Sequence, residues 1–179
     1  MCQNVAIEPD LQPISNEALH LASANTDDGA RLDIAADGFW GSSSQRTFFD
    51  VRIFNPLAPS NSNHTNILSC YRKHEMAKKR AYSQRVREVE FASFTPLVLS
   101  ATGGFGNEAK VFYKRLASML ADKWGQTYSS TLFWLRCRVA FSLLRSAVRS
   151  LRGARSSRGH PVRPPVASDL IISESRIYH

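Results

Sequence analysis

The sequence predicts an α/β domain, and three observations lead there. Two alternating runs, within residues 31–36 and 47–54, flank a turn rich in glycine and serine. A short apolar run at 94–102 ends in Gly103-Gly104-Phe105-Gly106. Three long segments without glycine or proline carry helical composition, at 73–90, 107–124 and 129–152. Together they give the order β-β-α-β-α-α.

Residues 1–30 form an acidic, polar leading segment with one short helix expected near Asn16–Ala24. Arg31–Ala36 alternates, placing Leu32 and Ile34 on one side and Asp33 and Ala35 on the other. Gly38 to Arg46 is a turn, and Thr47–Phe54 is a second β-rich run, so the two read as a hairpin. Val51 and Ile53 then face the core while Asp50 and Arg52 face away. Pro56 and Pro59 mark Asn55–Ser69 as a loop. Lys73–Glu90 is a helix whose apolar stripe is Tyr82, Val86 and Val89. Phe94–Thr102 is a buried strand. A helix capped by Asn107 follows, with Val111, Phe112, Leu116, Met119 and Leu120 as its core face, and Gly125 ends it. Ser129–Arg152 is a last long helix with Leu132, Leu135, Val139 and Leu143 packing inward. Pro161, Pro164 and Pro165 mark a loose tail. The expected division is an acidic segment at 1–30, an α/β core at 31–125, a basic helix at 126–158 and a flexible tail at 159–179.

A chain of 179 residues with 43% hydrophobic and 21% charged residues suits one globular domain. No run approaches the ~18 apolar residues of a membrane span; Ser129–Leu144 is broken by Arg136 and Arg138. The N-terminus shows no charged start followed by an apolar stretch, so the expectation is an intracellular protein. Cys2, Cys70 and Cys137 lack paired spacing, which argues against disulfides and a zinc site. The Asn63-His64-Thr65 sequon then reads as chance. The charge is strongly asymmetric. Residues 1–50 hold two basic and eight acidic residues, whereas 51–165 hold twenty basic and five acidic. Such a surface attracts polyanions by counterion release. A merely solubilising face and an anionic membrane surface are the alternatives.

Asp33 and Asp50 stand on the polar sides of neighbouring strands. Two such carboxylates can converge on one magnesium ion, which takes a few hard oxygen ligands plus water. Four residues before Tyr82 on the helical stripe stands Lys78. Its stem can lie on the sheet and lift an ammonium toward Asp50; a snorkelling lysine on a basic helix is the plainer reading. The Gly103–Gly106 run could cradle a phosphate, but lacks a nucleotide-loop ending and reads better as a tight turn. On the last helix Arg138, Arg145, Arg149 and Arg152 share a face suited to tracking a nucleic-acid backbone. A solvated face or a dock for another part of a larger protein is the alternative there.

Asp33 in a first strand, Asp50 in Phe-Asp-Val-Arg, and Lys78-Lys79-Arg80-Ala81-Tyr82 on the next helix resemble a known pattern. It is that of the restriction-enzyme-like endonuclease domain, of the PD-(D/E)XK superfamily, which follows the reverse transcriptase in some non-LTR retrotransposons. The run from Phe94 to Gly106 is similar to the strand that follows in uncharacterised retroelement proteins. The resemblance spans roughly residues 31–120. It implies a restriction-endonuclease-like core, a short mixed sheet of order β-β-α-β-α with an extra C-terminal basic helix. It also implies Asp33 and Asp50 as ligands of Mg2+ or Mn2+, Lys78 as catalytic helper and Tyr82 as its companion. Leu32 replaces the usual proline. Arg52 stands where the wider superfamily has lysine; it could hold a phosphate but not act as a base. Asp37, Glu88 and Glu90 are reserve carboxylates. The implied activity is metal-dependent nicking of DNA, with Lys79, Arg80, Arg138, Arg145, Arg149 and Arg152 holding the nucleic acid. The reverse transcriptase of a larger polyprotein is the implied partner, and a DNA target requires access to the nucleus. A catalytically inactive nucleic-acid-binding module, or a basic protein docking an acidic partner, are the rival readings.

Overall fold

The computed structural model describes residues 2–153 apart from 16, 18 and 62–65, with side chains as far as residue 150. The expected tail at 159–179, the side chain of Arg152 and the sequon lie outside the described residues. So do two positions of the short helix expected near Asn16–Ala24. The rest of that stretch is not helical; Leu21 to Ala24 is a turn, closed by the Ala24 amide donating to the Leu21 carbonyl at 2.9 Å.

The described elements are β1 (Gln3–Ile7), β2 (Ile34–Asp37), β3 (Arg46–Phe54), a 3-10 turn at Pro59–Asn61, α1 (Ile67–Glu88), β4 (Ser93–Ser100), α2 (Asn107–Trp124) and α3 (Tyr128–Gly153). The sheet is mixed, with order β1-β2-β3-β4. β1–β2 and β2–β3 are antiparallel, and β3–β4 are parallel over the whole of β4, with Asp50 opposite Pro96. Parallel neighbours need a long crossover, and α1 supplies it. The expected hairpin is therefore present as β2–β3. β1 was not foreseen: it is a five-residue, mostly exposed edge strand, bulged between Gln3 and Ala6, and carries no apolar alternation.

Helices cover both faces of the sheet. Phe48 on one side packs with Leu32, Ala35 and Val86, joined by Tyr82. On the other, Phe49 packs with Leu97, Leu99 and Ala109, joined by Phe112, Leu116 and Met119. Thr47–Asp50 is thus buried in both directions, which corrects the one-sided picture of β3. Asp50 points with Phe48 and Phe54 toward α1, while Val51 and Ile53 share the face of Phe49 but are exposed rather than in the core. The strand is longer than its cover there, because its pairing with β2 ends at Phe49.

α1 begins six residues earlier than expected, where the Asn66 side chain accepts the Leu68 amide at 2.9 Å. Val86 and Val89 are buried as the stripe predicts. Just before Val86, Arg85 is wholly buried and donates to the carbonyls of Asn25, Asp27 and Gln12, tying the irregular 12–27 stretch to the helix.

The N-cap of α2 is Gly106 rather than Asn107, and no side chain of its own turn caps it. Glu75 from α1 does so instead, accepting the Glu108 amide at 3.1 Å. Val111 is exposed; the packed face is Ala109, Phe112, Leu116, Ala117 and Ala121, because alanines let the helix approach the sheet. Gly125, at φ 62°, closes the helix as predicted.

The chain divides after Arg145. The first unit holds the sheet, α1, α2 and α3 as far as Arg145. Within it Leu135 is buried, and Val139 and Leu143 pack on the α2-side cluster. The described part of the second unit, 146–153, is helical, with Ser150 Oγ donating to the Ser146 carbonyl at 3.0 Å. Among the described residues no helix is long and apolar enough to cross a membrane.

Candidate active site

The β3–α1–β4 unit determines where chemistry can gather. Asp50 lies in the middle of β3 with its side chain toward α1, and Lys78 stands on the facing side of that helix. Lys78 Nζ is 2.6 Å from Asp50 Oδ2. The same ammonium lies 5.5 Å from the centre of the Tyr82 ring, one turn further on. Tyr82 is held in place by Asn25, whose side-chain amide donates to its hydroxyl at 3.2 Å, and by Phe94, 5.8 Å away between ring centres. The lysine stem thus runs along the sheet to a charged head beside Asp50.

Asp33 immediately precedes β2, opposite the point where the β2–β3 ladder stops. Its Oδ2 accepts the Val51 amide at 2.5 Å, replacing the ladder bond that β2 no longer provides. It therefore reaches across to the strand that carries Asp50. Burial raises the Asp50 carboxyl above its ordinary value; contact with Lys78 and its charge pull it down, the charge of Asp33 pushes it up, and Arg52 pulls it down. The charges of Lys78, Asp33 and the exposed Arg52 are thus all felt at the Asp50 carboxyl.

The other expected residues are either paired away from Asp50 or simply exposed. Lys79 pairs with Glu108 at the start of α2. Arg80 is exposed on α1. Arg138 stacks over Trp134, 5.0 Å from the ring centre, and Arg145 is exposed on α3. Arg149 is exposed in the second unit. Of the reserve carboxylates, Asp37 accepts from Asn4 at 2.9 Å and faces Arg46 at 3.7 Å. Glu88 pairs with Arg87, and Glu90 accepts the Gln12 amide. None of these interactions links them to Asp50. Gly103–Gly106 is a turn and not a cradle. Its Gly103, Gly104 and Gly106 amides donate to the Ser100 carbonyl, Ser100 Oγ and the Val98 carbonyl, and the Glu75 carboxylate already occupies the start of α2.

Glu75 and Arg85 went unnoticed in the sequence. Each sits in a basic or mixed helical run where nothing distinguishes a buried charge from a solvated one. The Asp33 contact to Val51 had no sequence signal at all, since it arises where one strand outruns its neighbour.

Among the described residues no group of three or more His, Cys, Asp or Glu side chains could hold a metal ion. Two carboxylates are what Asp33 and Asp50 offer. That suits a magnesium ion, which keeps several waters and often takes only one or two protein carboxylates, and it does not suit an all-protein cage. No family model matches the chain, and neither a curated protein nor a solved structure matches it.

Proposed function

We propose that the chain is a metal-dependent DNA endonuclease domain that nicks one strand, built on a restriction-endonuclease-like core and derived from a retroelement. The observation that carries this reading is the 2.6 Å approach of Lys78 to a buried aspartate that also feels Asp33. Burying a carboxylate costs several kcal/mol unless it is compensated, and here the compensation is a lysine on the next helix instead of an apolar side chain.

Asp33 and Asp50 are the residues that would hold Mg2+ or Mn2+, and such an ion polarises a phosphodiester and acidifies water when bound. Lys78 presents positive charge at the same place, so it can steady the negative charge that develops on a phosphate oxygen. Arg52, exposed beside Asp50, can grip a phosphate and keeps its proton throughout. Tyr82 acts on the lysine and not on the substrate: its ring fixes the direction of the Lys78 stem. Exposed cations on α1 and α3, Arg80, Arg138 and Arg145 among them, supply a field for holding DNA. The reverse transcriptase of a larger polyprotein is the partner that would use the nicked end, and a nuclear target follows.

A second reading has one observation in its favour. Asp33 accepts the Val51 amide and Asp50 lies against Lys78, so each carboxylate already has a partner within the protein, as in a nucleic-acid-binding module that has lost its chemistry. Supercoiled plasmid incubated with the protein and Mg2+ or Mn2+ separates the two. Nicking that disappears in Asp50→Asn while DNA binding persists supports the enzyme. Wild-type protein that binds but leaves the plasmid supercoiled supports the module, and equal nicking by both proteins removes Asp50 from the chemistry.

A further inference from the structure

The outer face of α3 is apolar and open to solvent beyond Trp134. Trp134, Cys137, Phe141 and Leu144 follow one another at intervals of three, four and three residues. Phe141 is 67% exposed, Leu144 61% and Trp134 42%, with Cys137 half-buried. α3 meets the core through Leu135, Val139 and Leu143, and the stripe touches the rest of the domain at Trp134, edge-on to Trp124 of α2 with ring centres 5.2 Å apart. Spacing of this kind presents a seam to another helix, in which alternating side chains fill holes on the partner. In the sequence the same interval continues with Val148 and Leu151.

The two edges of the seam differ. Arg138 and Arg145 each follow a seam residue by one position, seven residues apart, and form a cationic edge. The opposite edge, one position before Trp134 and Phe141, is Phe133 and Ala140. A second copy of this chain would fit poorly. Parallel pairing sets the arginine edge against Phe133 and Ala140, and antiparallel pairing sets arginine against arginine. Residues 128–153 contain five arginines and no acidic residue, so no self-pairing of α3 supplies a carboxylate. A bilayer surface reads apolar area and basic charge, but it imposes no seven-residue register.

We propose that the Trp134–Leu144 face of α3 docks an acidic amphipathic helix of a partner protein. Its apolar residues fill the seam and its carboxylates lie along the Arg138/Arg145 edge. This surface does not depend on the nuclease reading, but it shares Arg138 and Arg145 with the field that reading offers to DNA, so the acidic helix and DNA would compete for that edge.

The probe is a labelled synthetic amphipathic helix about three heptads long, with leucine along its seam and glutamate along one edge. A second peptide carries lysine in place of glutamate. Fluorescence anisotropy with the full chain is expected to show the glutamate peptide binding at least about tenfold more tightly, because like charges across an interface are strongly disfavoured. Phe141→Ser with Leu144→Ser should weaken it by at least about tenfold, since buried apolar anchors dominate such contacts. Arg138→Glu with Arg145→Glu should reverse the preference toward the lysine peptide. All four side chains are exposed or half-exposed, and unchanged thermal unfolding of the variants verifies their fold. Asp50→Asn should bind like the wild type. Equal binding of both peptides, or binding that survives the serine substitutions, overturns the proposal. Self-association abolished by Phe141→Ser assigns the face to a second copy and overturns it. Binding to phosphatidylserine vesicles with no binding of either peptide overturns it in favour of a lipid surface.

Discussion

Replacing Lys78 with methionine leaves Asp50 buried without its cation, and the structure dictates both the size of the loss and its pH dependence. At 2.6 Å two unit charges attract by about 6 kcal/mol at an effective dielectric of about 20. Burial nevertheless wins, because the Asp50 carboxyl stays above its ordinary value with Lys78 in place. The intact pair therefore adds little to stability, whereas removing one partner typically costs ~3–5 kcal/mol. Lys78 is 24% exposed, which puts the expected loss near the lower bound, about 3 kcal/mol at pH 8. Since the folded pKa of Asp50 lies above the unfolded value, its contribution to stability is complete below the unfolded pKa. It is lost as pH rises through the folded one. Without Lys78 that decline extends to higher pH, so the variant suffers less at pH 5 than at pH 8. Asp50→Asn combined with Lys78→Met removes both charges and should return to within about 1 kcal/mol of the wild type or exceed it. Urea unfolding of the wild type, Lys78→Met, Asp50→Asn and the double variant at both pH values, followed by tryptophan fluorescence, measures all of this. A loss below about 0.5 kcal/mol at pH 8 for Lys78→Met, or a double variant no better than the single one, refutes the reasoning.

Arg85→Met strips three partly buried carbonyls of their donor, at about 1–3 kcal/mol for each group left unsatisfied and nearer the lower figure where water can reach. The expected total is about 3–5 kcal/mol by urea unfolding, with only partial recovery in Arg85→Lys, whose single ammonium lacks the guanidinium fork. A loss under about 1 kcal/mol would mean that water replaces the arginine. If Asp50 must be ionised to hold a cation, nicking rises with pH, and its midpoint lies above the ordinary aspartate range because burial raises that carboxyl. Arg52→Gln removes a charge that lowers the Asp50 pKa, so the midpoint moves further up; a move downward contradicts the assignment.

The sheet was readable where alternation and turn residues coincide. The β2–β3 hairpin, β4, and the end of α2 at Gly125 all follow from local chemistry. β1 was not readable, since Gln3–Ile7 is held by hydrogen bonds to β2 and buries almost nothing. The face assignments of β3 failed in part for a related reason. Alternation in Thr47–Phe54 gives two faces but does not say that both are covered, nor that the cover stops before Val51 and Ile53. Lys78 beside Asp50 was legible because a helical stripe projects backward at four-residue steps. The capture of Asp33 by the Val51 amide was not, since it depends on where β2 ends in space. The solvent-facing seam of α3 was hidden by the inward-facing leucines, which account for the helix without it.

The proposed activity requires Asp33 and Asp50 to converge where a divalent ion can bind with Lys78 alongside. Electron paramagnetic resonance of Mn2+ titrated into the protein tests this without any substrate, because bound Mn2+ loses the sharp signal of the free ion. Depletion of one equivalent by the wild type, absent from both Asp33→Asn and Asp50→Asn, is the expected result. An undiminished signal with the wild type, or equal depletion by both variants, contradicts it.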